Sequence, residues 1–222
     1  YAGNVVDICP VGALTDKDFR FKCRVWYLDK TKSVCPGCSM GCNITVEWDR
    51  SRPHQNKKAR VMRLKPRLNP EVNNYWICDE GRYNYRFIDE NRITTPQAGN
   101  DLISWEKAID MLASSIKALK SANKLNRIGL LASAQLTNED LYLIRKIFKD
   151  HLKGASVEFQ VAEKLGKSDD FLLKADRNPN RAGAVEILSA ENQDLIGKAK
   201  NGDFDLFYVF GHDLIKLYGK ET

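Results

Sequence analysis

SVCPGCSMGC, residues 33–42, decides how the first part of the chain folds, because three cysteines within eight residues aim three thiols at one small volume. Pro36, Gly37 and Gly41 bend the stretch tightly, and glycine backbone comes close enough to sulfur for amide N–H groups to point at it. Cys78, in YWICDEG, completes the spacing C-x2-C-x3-C-x35-C with Cys35, Cys38 and Cys42. A [4Fe–4S] cubane needs one thiolate on each of its four irons, and ferredoxin-type sites draw three from a short loop and the fourth from a distant residue. These four cysteines are the candidate cofactor-binding and metal-ligating set. Structural zinc also takes four thiolates, but usually as two separated pairs, which three cysteines in one loop fit poorly.

Six cysteines is an even number, yet no secretory signal or transmembrane stretch is visible, and clustered cysteines in a long charged chain bind metal more often than they form disulfides. A reducing compartment is the expectation. Cys9 stands before Pro10, and in two-cluster ferredoxins the cysteine that precedes proline serves a different cluster from its sequence neighbours. Cys9 is accordingly expected to be the fourth ligand of a second [4Fe–4S] cluster whose other ligands lie upstream of Tyr1. Cys23, in FRFKCRVWYL, is expected to be a strand thiol facing a core, since free cysteine behaves as a small hydrophobe.

GNVVDICPVGALTDKDFRFKCRVW followed by the three-cysteine motif resembles the large iron–sulfur subunit (75 kDa type) of respiratory complex I, the bacterial NADH-quinone oxidoreductase. It is also similar to the related subunits of NAD-linked hydrogenases and formate dehydrogenases. CDEGRYNY at 78–85, SWEKAIDML at 104–112 and DFLLKADRNPNRAGA at 170–184 extend the resemblance over nearly the whole chain. It implies that Cys9 completes a cluster with an upstream C-x2-C-x2-C run, that Cys35, Cys38, Cys42 and Cys78 hold a cluster of their own, and that a [2Fe–2S] group belongs to a missing N-terminal region. It further implies an electron relay from NADH through a flavin-binding partner subunit toward quinone, in a peripheral arm on the cytoplasmic side of the inner membrane. Contact with the membrane would be indirect, and no residue would act as acid, base or nucleophile.

Molybdenum is not expected. Formate dehydrogenases place a lysine soon after the last cluster cysteine, where this chain has Asp79, Glu80 and Gly81, and no cysteine follows Cys78. Asp176 lies where some molybdenum enzymes use an aspartate ligand. Two rival classes stay open: a molybdopterin-dependent oxidoreductase, and a non-catalytic zinc-stapled module.

The remaining pattern predicts an α+β to α/β fold. Residues 1–30 are expected to end an upstream iron–sulfur region, and 31–92 to form a [4Fe–4S] domain of short strands and loops. Residues 93–222 should begin a molybdopterin-oxidoreductase-like α/β domain with a parallel sheet. Proline, glycine and polar residues at 93–100 mark the boundary. Phe19–Leu28, Asn43–Trp48 and Ala59–Leu64 alternate as strands do. Ser104 is placed to cap a helix with Ile109, Leu112, Ala113, Ile116 and Leu119 on one face, and Thr137 with Asp140 to cap another with Leu141, Ile144, Ile147 and Phe148 inward. RIGLLA at 127–132 and DLFYVF at 205–210 read as strands buried on both faces.

Net charge is +6, and much of the excess sits at Arg50, Arg52, Lys57, Lys58, Arg60, Arg63, Lys65 and Arg67. No recognition-helix pattern or aromatic interleaving accompanies these cations, so an enlarged, solvated hairpin loop is expected rather than a nucleic-acid site, with docking on an acidic neighbouring protein as the second choice. His54, His151 and His212 match no ligand position.

Overall fold

The computed structural model describes residues 1–50, 60–90, 92–160, 166–189 and 194–215. It is a mixed helix and sheet structure with one small antiparallel sheet and one parallel sheet. The chain divides into two compact units: Tyr1–Arg92 with Glu163–Pro179, and Ile93–Ala162 with Asn180–Thr222. The units are not a linear partition, because residues in the 163–179 stretch return to the first.

In the first unit β1 (Leu28–Val34), β2 (Asn43–Asp49) and β3 (Arg60–Pro66) form an antiparallel sheet in that order. Val34 pairs with Asn43, so the three-cysteine stretch is the loop of the β1–β2 hairpin, closed by Cys35 N–H donating to Cys42 O at 2.8 Å. β2 and β3 pair antiparallel, as the two arms of the expected enlarged hairpin would; the loop expected between them, residues 51–59 with Arg52, His54, Lys57 and Lys58, lies outside the described residues. Two short helices complete the frame, α1 (Ala2–Ile8) ending at Cys9 and α2 (Asp79–Tyr83) starting at Cys78.

Phe19–Leu28 is not a strand. It forms turns and a single 3-10 turn at Val25–Tyr27, and pairing begins only at Leu28. Phe21 sits at φ +65°, a conformation no strand contains, and its ring and that of Trp26 are 93% and 73% exposed. The polar run DKTKSV supplies the edge strand instead, its backbone fixed by β2 and its side chains left in water. Cys23 consequently lies on no strand and in no core; it is half-buried, and its Sγ–H donates to Arg24 O at 3.3 Å.

In the second unit the Pro96–Asn100 stretch opens a minimal hairpin, β4 (Gln97–Ala98) and β5 (Asp101–Leu102). A parallel sheet follows in the order β7 (Ser156–Gln160), β6 (Ile128–Ser133), β8 (Leu206–Phe210). Every residue of β6 is buried, as its unbroken apolar run predicts for a central strand. β8 is an edge strand and only half-buried, so DLFYVF is not buried on both faces. α3 (Trp105–Ser121) starts at Ser104, whose side chain accepts from Lys107 N–H, but Ile109 and Leu112 are exposed and only Ile116 and Leu119 pack on the core. α4 (Asn138–Ile144) carries the expected reciprocal capping box of Thr137 and Asp140. It continues as a wider π turn over Arg145–His151. That widening puts Ile144, Phe148 and Leu152 in the core and turns Ile147 outward, against expectation. α5 (Arg181–Leu188) and α6 (Leu195–Lys200) complete the layer. Among the described residues no helix is long and apolar enough to cross a membrane.

Candidate metal centre

Cys35, Cys38, Cys42 and Cys78 are all buried, and together they line one largely enclosed cavity in the first unit. The hairpin loop delivers three of them and the start of α2 the fourth. Cys78 caps that helix with its own sulfur: Sγ accepts from Gly81 N–H at 3.2 Å. Glycine keeps this wall open, because a Cβ on Gly81 would crowd the sulfurs at 3.0 Å from Cys35 Sγ and 3.4 Å from Cys78 Sγ. At Gly41 the demand is conformational, with φ at +63° as the loop turns back toward β2.

Burial pushes the thiols of Cys35 and Cys78 up, and that of Cys42 up to about 12, with the neighbouring thiols adding to the effect. Thiolates so far from water need positive charge from a metal, which deprotonates a coordinating thiol outright. Among the described residues no three His, Cys, Asp or Glu side chains converge tightly enough to grip a single ion. Four buried thiols lining one cavity are a donor set that a four-iron cluster or a zinc ion would take.

Several residues that position the site carried no signal in the sequence. Asn73, 1% exposed, accepts from Asn43 N–H at 2.9 Å and donates to Trp76 O at 2.9 Å, tying the exit of the cysteine loop to the approach to Cys78. Asn4 exchanges two hydrogen bonds with the backbone of Ile77, at 2.8 and 3.2 Å. Asp79 accepts from the first amides of α1, Ala2 N–H at 2.8 Å and Gly3 N–H at 3.0 Å. From the distant stretch 166–179, Leu172, Leu173 and Arg177 line the cavity itself. That stretch lies in DFLLKADRNPNRAGA, which the sequence marks out without saying where it packs.

Cys9 does not line this cavity. It is half-buried at the end of α1, and its thiol is held below the usual range by the backbone N–H of Leu14 foremost, against the opposing effect of burial, with the amides of Val11, Ala13 and Gly12 adding to the lowering. Such amides suit a sulfur carrying negative charge.

The basic segment is largely paired where it is described. Arg50 pairs with Asp29, Arg63 with Glu47, and Lys65 with Asp7 at 3.1 Å, while Arg67 donates to Asn43 Oδ1 at 2.6 Å. Acids from elsewhere in the fold thus answer a run that contains none. Asp176 accepts from the backbone and side-chain amides of Asn178 at 3.0 and 2.7 Å. His212 Nε2 sits 2.9 Å from Ala132 O.

Residues 28–90, which contain all four cavity cysteines, match the profile of the molybdopterin oxidoreductase Fe4S4 domain. In class, residues 28–90 are thereby an Fe4S4-type domain, a match that indicates a [4Fe–4S] cluster. The likeness is narrower still. Over 178 residues the chain is 33% identical to a subunit of the NADH-quinone oxidoreductase of Streptomyces coelicolor, a match covering 78% of this chain and 20% of that protein. It is 34% identical over 164 residues to NADH-quinone oxidoreductase subunit 3 of Thermus thermophilus, covering 72% and 19%. With the NADH-ubiquinone oxidoreductase 75 kDa subunit of Reclinomonas americana it shares 28% over 204 residues, covering 87% and 28%. The chain is therefore similar along most of its length to the large iron–sulfur subunit of the NADH-quinone oxidoreductases, and it spans about a fifth to a quarter of the length of these relatives.

Proposed function

We propose that the chain is an electron-carrying part of the large subunit of an NADH-quinone oxidoreductase, with Cys35, Cys38, Cys42 and Cys78 as the ligands of one [4Fe–4S] cluster. The observation that carries the proposal is the meeting of four buried thiols in a single glycine-walled cavity. Such a cluster, when bound, takes up and gives back one electron. The chain's own part is to hold and tune it. Gly81 N–H stabilises negative charge on Cys78 Sγ, Leu172 and Ile77 keep water away, and Asp79 and Glu80 add negative charge that disfavours the reduced form. Structural zinc is the second choice, because it usually takes its thiolates as two separated pairs and here three come from one loop.

The same proposal gives Cys9 to a second [4Fe–4S] cluster completed by upstream cysteines, supported by the amides gathered on its sulfur. It places a [2Fe–2S] group upstream of Tyr1 and counts the flavin-binding subunit among the partners. Electrons then run from NADH toward quinone on the cytoplasmic face of the membrane. Residues 31–92 would be the cluster domain and 93–222 the start of a molybdopterin-oxidoreductase-like α/β domain without molybdenum, since Asp79 and Glu80 stand where a lysine would reach a pterin. Anaerobic purification with iron, sulfide and zinc analysis tests the main point: roughly four irons and four sulfides per chain are expected. Zinc without iron would refute it. Replacing Cys9 should leave that iron content unchanged.

A further inference from the structure

Arg177 is remote from the cysteines in sequence, yet it lines the cavity their sulfurs share. Its segment is fixed there at separate points. Ser39 N–H, within the cysteine loop, donates to Asp176 O at 2.8 Å, and Leu172 is buried in the same core as Cys35 and Cys42. The guanidinium is held as well: Nη2 donates to Glu80 Oε2 at 3.1 Å and to Lys167 O at 3.2 Å. Gly166 lies so close that a Cβ there would fall 2.0 Å from Nε. The resulting ion pair is lopsided, with the Arg177 side chain 17% exposed and that of Glu80 53%. Water screens the exposed acid far more than the buried cation. The pair therefore projects net positive charge into the cavity.

We infer that Arg177 sets the reduction potential of the group held by Cys35, Cys38, Cys42 and Cys78, its fixed charge favouring the form that carries the extra electron. The inference rests on the cluster proposal above. Reduction adds one electron, from a neighbouring carrier in the protein's work or from dithionite in the test. No bond in the chain forms or breaks. Asp79, the other acid next to Cys78, is turned toward the amides of α1 and leaves Glu80 and Arg177 as the charged pair at the cavity. Arg177 is a positioning and tuning residue that donates no electron itself.

The test is a dithionite titration of the 222-residue chain, purified anaerobically, followed by electron paramagnetic resonance, alongside the variants Arg177→Gln, Arg177→Lys and Glu80→Gln. Losing the cation should shift the one-electron equilibrium toward the oxidised form by about tenfold, ~59 mV lower. Arg177→Lys should recover most of that, and Glu80→Gln should move the midpoint upward. A role in packing alone would change iron content or stability while leaving the midpoint of the loaded fraction where it was. An Arg177→Gln protein with wild-type iron and a wild-type midpoint would overturn the inference. Should that variant lose its iron, Arg177→Met, which keeps an apolar stem and lacks the charge, is read in its place on whatever loaded fraction remains: a lowered midpoint supports the inference and an unmoved or raised one overturns it. Wild-type chain that binds no iron refutes the cluster proposal and this inference together, whereas iron-loaded chains with unmoved midpoints refute this inference alone.

Discussion

Gly81→Ala adds one methyl group to the wall of the cysteine cavity, and the structure gives the size of the intrusion. The new Cβ would stand 3.0 Å from Cys35 Sγ, against about 3.4 Å at the inner edge of ordinary contact, and 3.4 Å from Cys78 Sγ. Overpacking of this kind costs about 1–3 kcal/mol when the neighbour cannot yield. Alanine within a helix, on the other hand, is better than glycine by about 1 kcal/mol. Which effect wins depends on whether Cys35 Sγ is free to turn. In the metal-free chain it rotates away about one bond, so Gly81→Ala should be neutral or stabilising by up to about 1 kcal/mol in a urea melt. With iron on the sulfur the rotation is blocked, and cluster affinity should fall by roughly one to two decades. The backbone N–H that reaches Cys78 Sγ survives the substitution, so the loss would be steric alone. The assays are iron retained per chain after anaerobic reconstitution and the rate of iron release to a chelator. Full iron with a wild-type release rate would refute the reasoning, as would a metal-free chain destabilised as much as the loaded one.

Cys78→Ala removes the one proposed ligand outside the hairpin loop, and iron analysis should find the cluster absent or degraded; an undiminished iron and sulfide content would exclude Cys78 as a ligand. Asn73→Ala leaves the Asn43 N–H and Trp76 carbonyl unpaired in the interior, so unfolding by urea should show a loss of about 2–3 kcal/mol, and a loss below ~0.5 kcal/mol would mean water replaces the side chain. Thr137→Ala removes half of the capping box on α4 and should cost the second unit about 0.5–2 kcal/mol in thermal unfolding. Its iron content should not change, and a change would show that the cap acts on the first unit as well.

What the sequence made legible was whatever depends on residue identity at fixed local spacing. The meeting of the four cysteines in one cavity could be read because three of them share a tight loop, β6 because six consecutive residues exclude water, and the α4 cap because Thr137 and Asp140 answer each other within one turn. Periodicity failed where geometry departed from the ideal period. Ile147 has the right 3.6-residue phase to face inward beside Ile144 and Phe148, but the π turn over Arg145–His151 turns it outward, while Phe148 keeps its expected place and Leu152 joins it in the core. The aromatic alternation of Phe19–Leu28 imitates a strand, yet alternation does not supply a pairing partner, and the positive φ at Phe21 breaks the run. α3 shows a third kind of miss: its apolar stripe is real, but only the half carrying Ile116 and Leu119 reaches the core.

The positioning residues were illegible for a different reason, which is that each is meaningful only through a partner far away in the chain. Arg82 is buried at 4% exposure, a place where an unpaired guanidinium would be costly. That cost is offset by Asn4 Oδ1 at 3.0 Å and Asp7 Oδ2 at 2.6 Å, both on α1. Asn4 at the same time satisfies the amide and carbonyl of Ile77, the residue before Cys78. Gly3 has to be glycine for this packing, since a Cβ there would meet Arg82 Nε at 2.4 Å. The helix that ends in Cys9 is thus fastened to the helix that begins at Cys78 by charge and hydrogen bonds. Apolar packing tolerates sliding; a buried arginine with two fixed acceptors does not, because each bond weakens steeply with distance and angle. The relative placement of the Cys9 and Cys78 segments is therefore set by Gly3, Asn4, Asp7 and Arg82, residues whose roles no local pattern in the sequence announces.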